Sequence, residues 1–164
     1  MIEKEQIDAY FADKEDVLVK AVERLVSIDS VEGEGAPGAP FGPGPARALD
    51  EALKIAGEWG LITKNHEGYV GTADLCDKED ALHILGHLDV VAPGEGWTVT
   101  KPYSPLREGD LLYGRGTDDD KGPAVASLLA MKAVKDLGAP LKANCRLIMG
   151  TNEESGSGDI AWYF

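Results

Sequence analysis

Three short stretches gather the side chains that could bind a cation or move a proton. Each stands just after a run that reads as strand or as strand-to-helix turn, where sites are commonly built. The first is Gly86-His87-Leu88-Asp89-Val90-Val91. On extended backbone, positions i and i+2 point to the same side, so the His87 imidazole and the Asp89 carboxylate would be neighbours. A histidine whose second ring nitrogen donates to a carboxylate is fixed in one tautomer and becomes a more basic metal ligand. Taken alone, the pair also reads as a core histidine satisfied by an incidental aspartate.

The second stretch is Tyr113-Gly114-Arg115-Gly116-Thr117-Asp118-Asp119-Asp120-Lys121-Gly122-Pro123. Three adjacent carboxylates repel one another unless a cation or solvent compensates, and the glycines let backbone approach a bound group. A hard or borderline metal held by carboxylate oxygens would account for the run. A calcium loop of the EF-hand type does not fit, because it needs acids at alternate positions and a terminal Glu. A phosphate loop fails too: Lys121 precedes Gly122, and the acids would repel the phosphate. An acidic turn at the start of the following helix is the other reading, since negative charge is favourable there.

The third stretch is Gly150-Thr151-Asn152-Glu153-Glu154-Ser155-Gly156-Ser157-Gly158. Adjacent glutamates at a strand end can point differently, so one could bind metal while the other faces a water on that metal. A capping pair for the next helix is the alternative.

The elements that must position these stretches follow from periodicity. From Ile2 to about Ile28, apolar residues including Ile7, Tyr10, Phe11, Val17, Leu18, Ala21, Val22 and Leu25 recur at three- and four-residue spacing. That predicts helix, with a break near Asp13. Gly33 to Pro45 is dense in Gly and Pro and predicts a surface loop, followed by a helix from about Pro45 through Trp59 that Gly60 ends. Beyond Leu61 the period changes. Strands are predicted at 61–63, 69–72 and 81–85, the first two as a hairpin leading into a central third, with another at 111–113. A helix over about 122–137 and a buried strand at 145–149 complete the pattern, and 159–164 reads as the first turns of an amphipathic helix. Strands alternating with helices predict an α/β layered domain whose sites lie at strand ends.

Composition excludes several classes. With 164 residues and 43% hydrophobic content the chain can bury one proper core. It carries 29 Asp and Glu against 16 Lys and Arg, so its field repels nucleic-acid backbones and anionic lipid surfaces. Neither nucleic acid nor membrane is expected as a partner. Cys76 and Cys145 form no Cys-x-x-Cys pattern and are expected as reduced, buried thiols. The charged N-terminus lacks a signal-peptide pattern, and no run has membrane-spanning length, so a cytoplasmic protein is expected.

Together the three stretches carry more than each alone. In order and approximate spacing they resemble the zinc aminopeptidase-like family that contains carboxypeptidase G, aminoacylase, succinyl-diaminopimelate desuccinylase and the bacterial Xaa-His dipeptidases. The resemblance covers essentially the whole chain. The extended forms Gly86 to Trp97 and Gly150 to Glu154 look most like the dipeptidase branch. It implies a zinc-peptidase-like layered domain with a central mixed sheet flanked by helices. It further implies that His87 binds one zinc and that Asp89 orients it. In the family's Asp-x-Lys-Gly pattern the bridging carboxylate stands two places before the lysine, which selects Asp119. Glu153 matches the general base, and Glu154 a ligand of the second metal. Two zinc ions, with cobalt or manganese as substitutes, would activate a shared water against the peptide bond of a dipeptide.

The resemblance also implies what residues 1–164 lack. Family members use a further acidic ligand beyond the glutamate pair, a late histidine and a smaller lid domain. The chain is therefore expected to be the N-terminal part of a catalytic domain, truncated at its C-terminus, binding zinc weakly and hydrolysing little by itself. His66 and His83 fall outside the motifs and are expected in surface or sheet packing. An amidohydrolase removing an acyl group from an amino acid, and a non-catalytic remnant domain, are the competing readings. Oligomeric state is not legible.

Overall fold

The computed structural model describes residues 2–164. In chain order the elements are α1 (Lys4–Phe11), α2 (Glu15–Val26), α3 (Pro43–Glu58), β1 (Ile62–His66), β2 (Val70–Asp74), β3 (Asp80–His87), β4 (Leu106–Glu108), β5 (Leu111–Tyr113), α4 (Lys121–Asp136), β6 (Asn144–Gly150) and α5 (Gly158–Tyr163). A single 3-10 turn, Glu153–Ser155, separates β6 from α5.

The predicted break near Asp13 is real: α1 stops at Phe11 and α2 starts at Glu15. The third helix begins two residues earlier than expected, at Pro43, because a proline in the first turn gives up only an N–H that has no helical partner there. Its end is set by Gly60, whose φ of 79° suits glycine.

β1, β2, β6 and β3 form one sheet in that order. The β1–β2 and β2–β6 pairs are antiparallel and β6–β3 is parallel, so the sheet is mixed. The expectation of a central strand at 81–85 is corrected. β3 lies at the edge, and β6, the last strand in sequence, inserts between β2 and β3. Both strands are apolar in sequence, so composition could not rank them. Burial separates them: Leu82 and Leu85 of β3 are 56% and 60% exposed, whereas Leu147, Ile148 and Met149 of β6 are almost wholly buried. The expected strand at 111–113 pairs with β4, which sequence reasoning missed, in a small separate hairpin turning at Gly109.

One face of the sheet is covered by α3, against β1 and β2, and α4, against β3 and β6, and α2 packs on both helices. Leu25, Leu49, Ile55, Leu128, Leu147 and Met149 fill that layer with essentially no exposure, each stabilising the fold by roughly 1.5–3 kcal/mol relative to solvent. Gly71 faces Leu49 and Leu53 of α3, so its neighbour Thr72 faces the other way. There Thr72 Oγ1 meets His66 Nε2 at 3.1 Å, and the His66 ring packs edge-on against Tyr163 of α5. Trp162 of α5 stacks on Tyr69. Helices therefore flank the sheet on both sides, as the resemblance implied.

Among the described residues no helix is long and apolar enough to cross a membrane. Cys76 and Cys145 are free thiols, as expected, but half-buried rather than buried.

Candidate metal centre

The parallel pairing of β3 with β6 is what joins the first and third motifs. His87 stands opposite Gly150 in register, so both strands run out at the same end of the sheet. α4 packs on β3 and begins at Lys121, which brings the Asp118–Asp120 turn to that end as well. One ligand atom each from His87, Asp119 and Glu154 then falls within 4.8 Å of the others. Residues 32 and 67 positions away from His87 meet it at one place because three elements terminate together.

His87 is buried between its partners. Its Nε2 lies 3.0 Å from Asp119 Oδ1 and 3.8 Å from Glu153 Oε2. Its Nδ1 lies 3.1 Å from the Asp89 carbonyl oxygen and 3.4 Å from the Asp89 carboxylate. Burial alone would lower the pKa of His87. Hydrogen bonds to Asp89 and Asp119, with the negative charge of Asp89 and Asp120, outweigh it and raise it to about 9.

The Asp89 carboxylate is almost fully buried and has a task that the sequence did not disclose. It accepts the main-chain N–H of Glu153 at 3.1 Å and that of Glu154 at 3.0 Å. The residue expected to orient His87 therefore also fixes the backbone from which both glutamates emerge. In contrast, the side chains of Asp119 and Glu153 are 73% and 55% exposed, so the pocket has a rigid floor and an open face.

The neighbouring acids divide their roles. Asp118 is exposed, while Asp120 turns inward and accepts the His87 N–H at 3.0 Å. Asp120 makes no side-chain cap for α4, so an acidic helix cap does not account for it. Burial raises its pKa, partly opposed by the His87 N–H. Gly86 makes this approach possible, since a Cβ there would stand 2.7 Å from Asp120 Oδ2. Behind the turn, Lys121 is completely buried and donates to the carbonyls of Leu25 at 3.0 Å and Ile28 at 2.8 Å. Sequence reasoning used Lys121 only as a motif marker; its tie to the end of α2 had no local signal. Burial lowers its pKa to about 8.

His66 and His83 lie elsewhere, as expected: His66 in sheet packing, His83 exposed and 3.2 Å from Asp80.

The donor set fits a borderline divalent cation. Zinc takes histidine nitrogen and carboxylate oxygen at about 2.0–2.2 Å, so two ligands on one ion stand roughly 3 Å apart, the separation between His87 Nε2 and Asp119 Oδ1.

Residues 83–163 match the family model described as Peptidase family M20/M25/M40. Over 92% of its length the chain is 38% identical to "Putative dipeptidase YtjP" of Bacillus subtilis (strain 168), covering 33% of that protein. A Staphylococcus aureus (strain USA300) protein described in the same words is 36% identical over 93% of the chain and 32% of its own length. The chain thus spans about a third of the length of the curated relatives it matches. Among solved structures, human carnosine dipeptidase 1 superposes with a TM-score of 0.73 at 24% identity, covering 97% of this chain and 37% of that one. The M20 family metallo-carboxypeptidase Sso-CP2 of Sulfolobus solfataricus gives 0.68 at 24%, covering 92% and 33%. At those identities the two structures share the fold with this chain.

Proposed function

We propose that this chain is the N-terminal part of the catalytic domain of a zinc-dependent dipeptidase, and that its three motifs form most of a two-metal hydrolytic centre. The observation that carries the reading is the convergence of His87, Asp119 and Glu154 to within 4.8 Å, with Glu153 alongside. The descriptions of the Bacillus and Staphylococcus relatives favour a dipeptide as substrate over an N-acyl amino acid.

His87 and Glu154 would each hold an ion, with Asp119 serving both. Zinc held there would supply a water of lowered pKa and polarise the peptide carbonyl. Asp89 keeps the His87 ring oriented from its Nδ1 side, at 3.1–3.4 Å. Glu153 accepts the proton of the attacking water and returns it to the departing amine, a role that suits an exposed carboxylate not tied up in an ion pair with Lys or Arg. Cobalt or manganese would suit the same mixed His and carboxylate donors.

Three protein ligands cannot furnish two complete zinc sites, each of which normally takes three protein donors and a solvent position. Residues 1–164 alone are expected to bind zinc weakly and to leave dipeptides intact, whereas the full-length protein hydrolyses them. Calorimetric zinc titration and turnover of Xaa-His dipeptides by both forms test this. Brisk turnover by the purified 164-residue chain would overturn the assignment of an incomplete site, and its absence in the zinc-loaded full-length protein would overturn the dipeptidase reading.

A further inference from the structure

Asp159, in the first turn of α5, is fully buried and has no cationic partner among the described ion pairs. An isolated buried carboxylate is costly unless strong hydrogen bonds compensate. Here they come from backbone. Its Oδ2 accepts the N–H of Thr151 at 2.6 Å and of Asn152 at 3.0 Å, and its Oδ1 accepts the N–H of Ile160 at 2.7 Å. Gly150 gives it room, since a Cβ there would stand 2.3 Å from Oδ2.

Asp89 takes the next two amides of the same turn, those of Glu153 and Glu154. Four consecutive N–H groups, 151 to 154, are thus taken in pairs by two buried aspartates. The side chains of Thr151 and Asn152 are also committed: Thr151 Oγ1 donates to the Tyr69 carbonyl at 2.7 Å, and Asn152 Nδ2 donates to Glu32 at 3.0 Å. Asp159 and Glu153 line one cavity of about 300 Å³ with His87 and Asp120.

We propose that Asp159 is a positioning residue for the hydrolytic centre, acting with Asp89 to fix the turn from which Glu153 and Glu154 diverge. This rests on the dipeptidase reading above only for its consequence in turnover. A misplacement of about 1 Å in a reacting group can cost on the order of 100-fold in rate, so a turn held at both ends has a direct kinetic value.

The test is Asp159→Asn in the full-length protein, read by amide hydrogen exchange over 151–154, zinc titration and steady-state kinetics. The expected variant remains folded and exchanges faster at Glu153 and Glu154, whose amides bond to Asp89 and not to residue 159. It binds zinc about tenfold more weakly and loses about 10- to 100-fold in kcat, with KM within about threefold of the parent. Parent-like exchange at 153–154 together with parent-like kcat would overturn the proposal. So would unfolding of Asp159→Asn, which would make the carboxylate a general support of the fold. If the parent hydrolyses no dipeptide but the variant still loosens 153–154 and weakens zinc, the dipeptidase reading fails and the positioning role stands.

Discussion

Asp89 Oδ1 accepts the main-chain N–H of Glu153 at 3.1 Å, so a residue two places past the end of β3 sets the backbone of the turn that follows β6. The same carboxylate stands 3.4 Å from His87 Nδ1. One buried side chain thereby links the imidazole to the glutamate pair, and the two strand ends cannot shift independently.

Replacing Asp89 by Ala removes the buried acceptor of two part-buried amides. A fully buried donor left without a partner costs about 1–3 kcal/mol, so for two part-buried donors a destabilisation of roughly 2 kcal/mol, the low end of that range for each, is expected. Zinc affinity should fall about 10- to 100-fold as His87 loses its support. Urea unfolding and zinc titration measure the two effects, and a variant with parent-like values in both would remove Asp89 from these roles.

Glu153→Gln keeps the shape of the side chain but cannot accept a proton. In the zinc-loaded full-length protein it should leave metal content unchanged and reduce kcat by about 10²- to 10⁴-fold. Metal analysis alongside turnover checks it; parent-like turnover would take the proton transfer away from Glu153.

Gly86→Ala pushes a methyl group toward Asp120 Oδ2, which would be only 2.7 Å away. The carboxylate cannot retreat without losing the His87 N–H. A stability loss of about 1–3 kcal/mol is expected, with weaker zinc binding because His87 shifts with its amide. A shift in the thermal midpoint of the metal-free protein reads the first and zinc titration the second.

The pKa of His87 near 9 makes metal loading pH-dependent. In the metal-free chain the folded value lies above the ordinary 6.5, so the protonated imidazole contributes stability that is fully present below pH 6.5. That contribution is lost as pH rises through about 9. A metal ion needs the neutral ring, so zinc binding near pH 7 should release about one proton from His87, and apparent affinity should climb with pH up to about 9. Calorimetry in two buffers of different ionisation enthalpy counts the protons; no release at pH 7 would refute the raised value.

Much of the element pattern was legible because it is local. The three-and-four spacing of Val17, Leu18, Ala21, Val22 and Leu25 marks α2, and Gly60 marks the end of α3, through interactions confined to a few turns. The three motif stretches were legible for a similar reason, since an imidazole beside a carboxylate and runs of adjacent acids have few packing uses; the choice of Asp119 among three aspartates, and the separate parts of Glu153 and Glu154, came only from the family resemblance.

Strand order was not legible, because the apolar runs at 81–85 and 145–149 look alike until one is placed inside the sheet and the other at its edge. Nor were the tasks of Asp120, Lys121 and Asp159, whose partners are backbone groups of His87, of Leu25 and Ile28, and of Thr151 and Asn152. A backbone N–H or carbonyl is the same at every position, so the sequence carries no mark of which one a distant side chain will meet. The sequence by itself determined the chemistry on offer, an imidazole and four carboxylates in three separate motifs. Only the tertiary structure decided that they meet at one end of the sheet, through the parallel register of β3 with β6 and the docking of α4 on β3.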